Sequence, residues 1–395
     1  MGPDRALMED AVRHLESFER PSASPGERAA AEWIADALRD LDLDPVLEEG
    51  RAHGGFWWPL GLLNAIAVLA AALRPAWLGR LLAAIAAVAI VDDLDHRSRW
   101  FRRAFLPHRP TYNVHAVAGD ASARRTVLVV AHHDAAHGGH IFDTTLLQAI
   151  HDRRPALYDR FTRWPPLMWG VIAAPVLVAA GERKHSVRLG LGTIAAMVDI
   201  GRSPVAPGAN DNLAAVGALL ALARRLRDEP VEGLRVILLS TGSEESNSEG
   251  MQEYGRAHFA ELPRESTDVI ALECLGSGTV TVAESEGFLV PHHYDAGLKD
   301  LATACAGRLG VEVRRGLHIV FASDAQIALH AGYRAMTLAA SDELKLPANY
   351  HKPTDTADNL DLDCLDDAVD VLEATVRALA GQARSSSARA AATAS

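Results

Sequence analysis

A chain of 395 residues with 49% hydrophobic and 23% charged residues can fill one large core or two smaller ones, which excludes a disordered protein. Its net charge of -12 excludes nucleic acid as the main partner. Three cysteines, Cys274, Cys305 and Cys364, form an odd set without metal-ligand spacing, so reduced thiols are expected rather than a disulfide framework.

The start, Met1-Gly2-Pro3-Asp4-Arg5, runs into a charged helical pattern and reads as lacking a secretory signal. Residues 4–40 predict two helices, the second opening after Ser24-Pro25-Gly26-Glu27 and burying Ala30, Ile34 and Leu38. A strand follows at Pro45-Val46-Leu47. Further strands are expected at 113–117, 126–130, 234–239, 268–272 and 335–338, where apolar residues alternate or run together. Helices are expected at 295–308, at 365–380, and after Asp211, where Leu213, Val216, Leu219, Leu220, Ala223 and Leu226 recur at helical spacing. The predicted fold is α/β, with a mixed, largely parallel central sheet and helices on both faces. The sheet domain is expected to comprise residues 1–50, 110–140 and 204–380, with a disordered tail at 381–395.

Two hydrophobic helical insertions interrupt that pattern. The first, residues 52–109, holds an uncharged stretch at 56–73 and a second apolar stretch at 75–91, which together read as a membrane hairpin. The second, 141–203, holds an uncharged stretch at 165–181 and a weaker one within 186–203. Trp57, Trp58, Trp77 and Trp100 near the ends of the first insertion suit a membrane interface. Because the soluble pieces must form one sheet, each insertion must cross an even number of times. Arg97, Arg99, Arg102, Arg103, Arg109, Arg153, Arg154, Arg160 and Arg163 outnumber the basic residues of the turns between spans, so the catalytic side is expected to be cytoplasmic. The expected location is therefore the cell membrane, with the lipid bilayer as a partner.

His132, Asp211, Glu245, Glu273 and His351 each stand at or beyond a predicted strand end or in a loop, where open α/β sheets gather ligands. Two imidazoles and three carboxylates make a nitrogen and oxygen set suited to zinc, and a carboxylate can bridge two ions. The motifs AHHD at 131–134, PGANDN at 207–212, GSEES at 242–246, ALECLGSG at 271–278 and YHKPTDT at 350–356 follow in that order. On them the chain resembles the co-catalytic dinuclear-zinc aminopeptidases, a metallopeptidase family that also includes glutaminyl cyclases and receptor-like homologues without activity.

The resemblance implies two Zn2+ per chain and a peptide substrate. It implies that His132 and Glu273 bind one ion, that Glu245 and His351 bind the other, and that Asp211 bridges them. It makes Glu244 the general base and Asp134 the partner of the His132 imidazole, and it implies a cis peptide bond at Asp211-Asn212. One departure is Glu273, where the family commonly has Asp. His133, His137 and His140 read as surface histidines, and Ser323-Asp324 as a loop bordering the cleft. The implied function is a membrane-associated zinc metallopeptidase, most simply an aminopeptidase. A glutaminyl cyclase-like or acyl-transfer enzyme, and a non-catalytic receptor-like homologue, remain open, as does the oligomeric state.

Overall fold

The computed structural model describes residues 2–161 and 166–394. Its strands are β1 (Val46–Ala52), β2 (Arg109–Gly119), β3 (Thr126–His132), β4 (Arg235–Thr241), β5 (Thr267–Glu273), β6 (Thr279–Val282), β7 (Ser285–Glu286), β8 (His292–His293) and β9 (Arg334–Ser341). Seven of them form one sheet in the order β1-β2-β4-β3-β5-β9-β6, and β7 pairs with β8 in a separate hairpin. The pairs β4-β3, β3-β5 and β5-β9 are parallel, while β1-β2, β2-β4 and β6-β9 are antiparallel. Every residue of β3 is buried, so both faces of the sheet are covered there. The uninterrupted Val127-Leu128-Val129-Val130 run is the sequence mark of that double burial. Parallel alignment brings the carboxyl ends of β3, β4, β5 and β9 to one edge, and that edge carries the site.

The helices are α1 (Pro3–Leu15), α2 (Pro25–Asp40), α3 (Trp57–Ala70), α4 (Ala76–Leu94), α5 (Trp100–Phe105), α6 (Thr145–Arg153) and α7 (Pro155–Phe161), followed by α8 (Pro166–Ala180), α9 (Lys184–Arg202), α10 (Ala214–Asp228), α11 (Glu249–His258), α12 (Ala296–Leu309), α13 (Ala325–His330) and α14 (Leu362–Ala394). The Ser24 side chain caps α2 by accepting from Glu27 N at 3.1 Å, as its S-P-G-E start leads one to expect. The central helix α10 lies against β2 and β3 and is flanked by α1 and α14. Backbone helix in α14 continues through the stretch read as a loose tail, where alanines carry high intrinsic propensity.

The insertions fold as a bundle of α3, α4, α8 and α9 with its own apolar cluster, including Trp57, Leu60, Leu63, Ile90, Leu94, Ile172, Met197 and Ile200. No helix among the described residues is long and apolar enough to cross a membrane. The expected cell-membrane location is thereby overturned, and the expected transmembrane insertions and bilayer partner find no support. The 56–73 stretch yields a helix of only 14 residues, about 21 Å at 1.5 Å per residue against a hydrocarbon core of about 30 Å. Helix α4 is longer but carries Arg80, Asp92 and Asp93. Helix α8 has 15 residues, and Pro165, the first residue of the expected span at 165–181, lies outside the described residues.

The orientation argument fails for a related reason. Arg99 and Arg102 are fully buried and bind other parts of the protein, so they are not flanking charges. Trp57 is likewise buried, its ring 4.7 Å edge-on from His137.

A polar residue stitches the bundle together. Pro175 lies inside α8 and has no N–H to offer Val171 O, the carbonyl four residues back. Asn64 on α3 fills that vacancy, its Nδ2 donating to Val171 O at 3.1 Å and to Leu60 O at 3.0 Å.

Candidate metal centre

Strand β3 ends at His132 and β5 at Glu273, and β4 ends at Thr241 just before the loop bearing Glu244 and Glu245. Asp211 sits in the tight turn Ala209–Leu213 that opens α10, with non-helical dihedrals of φ -114° and ψ 84°. Gly208 begins that turn at φ 66°, and a Cβ there would come within 2.6 Å of both the Arg20 guanidinium and Asp211 O, so only glycine fits. The Asp211-Asn212 peptide bond is cis.

The five residues singled out from the sequence converge. His132 Nε2 lies 3.3 Å from Asp211 Oδ1 and 3.8 Å from Glu273 Oε2. On the other side His351 Nε2 lies 3.3 Å from Asp211 Oδ2 and 3.3 Å from Glu245 Oε2. Asp211 thus turns one oxygen to each pair. Glu244 Oε2 is 3.8 Å from His132 Nε2, and its other oxygen accepts from Ser248 Oγ at 3.1 Å.

Fixed polar groups aim these side chains. Asp134 Oδ1 lies 3.4 Å from His132 Nδ1. The same carboxylate accepts from Glu244 N at 3.0 Å, from Glu245 N at 3.1 Å and from Ser22 Oγ at 2.6 Å, so one residue orients the imidazole and pins the glutamate loop. Asn212 Nδ2 donates to Glu273 Oε2 at 3.2 Å.

Three supporting residues escaped the sequence reading. Asp355 accepts from Asn210 N at 2.7 Å and from Asp211 N at 3.1 Å, and its place in the YHKPTDT motif was the available signal. Buried Arg20 donates to His133 O and Gly208 O, and Glu27 accepts from Ser243 N and Ala23 N. Both are remote in sequence from the loops they hold, so no local pattern marks them.

Among the neighbouring histidines only His140 is a surface residue, paired with Asp199 at 2.8 Å. His133 is fully buried, its Nδ1 2.9 Å from Ser240 Oγ, which corrects the surface reading. His137 is half-buried, with Nδ1 2.8 Å from Ser203 O. Asp324 is buried beside the site and accepts from Thr241 Oγ1.

The electrostatics call for cations. Burial, then the charges of Glu273 and Glu245, push the Glu244 carboxyl well above its usual range despite His132. Glu273 is raised in the same way by burial and Asp211. Burial opposes protonation of His351, yet Glu245 and Asp211 lift it to about 10. So many buried acids around two imidazoles are stable only with compensating positive charge. Asp211 Oδ2 and both His351 nitrogens are buried and have no hydrogen-bond partner among the described residues. Orphaned donor atoms of this chemistry fit zinc.

Residues 194–376 match the model of peptidase family M28. This M28 stretch contains Asp211, Glu244, Glu245, Glu273 and His351 and supports a peptidase of that family. No curated protein matches the chain. Among solved structures the fold is similar to an aminopeptidase from an Aneurinibacillus species, with 15% identity, TM-score 0.54 and coverage of 94% of this chain and 93% of that one. It is also similar to a Zn-dependent exopeptidase from Parabacteroides distasonis, with 12% identity, TM-score 0.58 and coverage of 94% and 97%. A glutaminyl cyclase from Porphyromonas gingivalis gives 17% identity, TM-score 0.55 and coverage of 96% and 98%. At such identities these likenesses concern the fold alone, which the aminopeptidase, exopeptidase and cyclase structures share.

Proposed function

We propose that the chain is a dinuclear-zinc aminopeptidase. In this reading His132 and Glu273 hold one ion, Glu245 and His351 hold the other, and Asp211 bridges them. The observation that carries it is the split of the Asp211 carboxylate, with Oδ1 and Oδ2 each 3.3 Å from a different imidazole. Separations of 3.3–3.8 Å between donor atoms suit ligands bound at about 2.0–2.2 Å to a shared ion. Glu273 reaches that range although it is one methylene longer than the common Asp, with Asn212 steadying it.

Bound zinc supplies Lewis acidity, polarising a peptide carbonyl and acidifying a water. Glu244 takes the proton of the attacking water and returns it to the leaving amine. Burial raises its proton affinity, which favours taking a proton from water. Adjacent Glu245 does different work because it faces His351 and Asp211. Asp134 keeps the His132 ring in register and stiffens the backbone at Glu244 and Glu245.

Glutaminyl cyclase chemistry is the second reading, favoured by the cyclase among the fold neighbours. The complete His132 and Glu273 pair favours two ions and peptide hydrolysis over the cyclase chemistry, which in the family that the motifs resemble uses one zinc. The test is zinc content per chain, with peptide hydrolysis assayed beside cyclisation of an N-terminal glutamine. About two zincs per chain that are lost in Asp211→Asn are expected, together with release of N-terminal residues. Loss of a single zinc in that variant, with cyclisation alone, would replace the proposal by the second reading.

A further inference from the structure

A second cluster of metal-ligand type, sharing no residue with the first, lies where the helical bundle meets the sheet domain. Asp95 caps the C-terminus of α4, His292 lies on β8 and His330 is the last residue of α13. Asp95 Oδ1 is 2.7 Å from His292 Nε2 and 3.9 Å from His330 Nε2, and the two imidazole nitrogens face each other at 3.4 Å. A single point about 2.0 Å from all three atoms satisfies these separations, the length of a Zn–N or Zn–O bond. The other Asp95 oxygen is engaged by Arg97 at 2.6 Å, which leaves Oδ1 directed at the histidines.

Gln326 points to a ligand independently. It stands one helical turn before His330, is fully buried, and places Nε2 3.4 Å from Asp95 Oδ1. Its Oε1 has no hydrogen-bond partner among the described residues. Turning the amide over exchanges the two atoms and brings the orphaned oxygen to the side of the cluster that faces Asp95.

We propose that Asp95, His292 and His330 bind a zinc ion, with Gln326 beside the fourth position, that clips the helical bundle to the β7-β8 hairpin and α13. Two nitrogens, one carboxylate oxygen and one further oxygen are a donor set suited to zinc. The clip draws on three segments far apart in the chain, and its ligands include none of the residues assigned to the cleft. It therefore stands independently of the peptidase reading.

The test uses full-length protein saturated with zinc and dialysed against metal-free buffer. Anomalous difference maps collected on either side of the zinc edge should show a peak about 2.0–2.2 Å from Asp95 Oδ1, His292 Nε2 and His330 Nε2. No peak there overturns the proposal, whatever the cleft contains. In solution, His292→Ala and His330→Gln should each bind about one zinc fewer per chain, while Asp211→Asn should leave this ion in place. Unchanged zinc content in both folded histidine variants would equally overturn it, and if they do not fold, the map of the unaltered protein decides.

Discussion

Arg102→Ala is the sharpest probe of how the bundle supports the glutamate loop. Arg102 is fully buried, donating from Nε to Asp93 Oδ2 at 2.7 Å, from Nη2 to Asp93 Oδ1 at 2.5 Å and from Nη1 to Ser246 O at 2.8 Å. It also lies 3.2 Å from Glu249 Oε2. Burial alone would raise the Glu249 carboxyl, but Arg102, with help from His53, brings it from 4.5 down to about 2. A depressed carboxylate contributes stability that is present above its unfolded value and lost as pH falls through the folded one. Here that window runs from about pH 4.5 to about pH 2, and the contribution above it is about 3 kcal/mol. Stranding one partner of a buried pair costs about 3–5 kcal/mol, a similar size. Urea unfolding of Arg102→Ala at pH 7 should therefore show a loss of about 3 kcal/mol, and acid unfolding should begin at a higher pH. Arg28→Ala, which breaks an exposed pair with Glu32, should cost far less. A loss in Arg102→Ala no larger than in Arg28→Ala, with an unchanged acid transition, would refute the reasoning.

Other expectations follow from the same geometry. Glu244→Gln should lower kcat by about 100- to 10,000-fold while zinc content, measured by atomic absorption, stays at the unaltered value. Asp134→Asn removes the charge that orients His132 and should weaken zinc affinity or activity by about 10- to 100-fold in chelator competition and turnover assays. Asn64→Leu leaves Val171 O without its donor and should cost about 1–3 kcal/mol in urea unfolding. Pro175→Ala restores an N–H to α8, so the double variant should recover part of that loss, and strict additivity would count against the Asn64 assignment.

Much of the fold was legible because it rests on periodicity. The buried run at 127–130 marked a strand covered on both faces, and the helical spacing after Asp211 marked α10. The metal-ligand candidates were legible for another reason: the parallel strands have their carboxyl ends aligned, so chemistry-bearing residues at strand ends meet. The insertions misled because apolar length is shared by membrane spans and by shorter helices packed into a bundle. What separated them was the break after Ala70 and the burial of Arg99 and Arg102 by partners far along the chain.

By itself, the sequence determined an α/β chain with an ordered series of His, Asp and Glu residues suited to zinc, since local pattern and residue chemistry suffice for both. Only the tertiary structure decided that Asp211 divides its oxygens between two imidazoles and that Asp134 serves both His132 and the glutamate loop. It likewise decided that Asp95 meets His292 and His330. These are relations between residues far apart in the chain, fixed by the packing of strands and helices. No periodicity along the sequence encodes which distant atoms come within bonding distance.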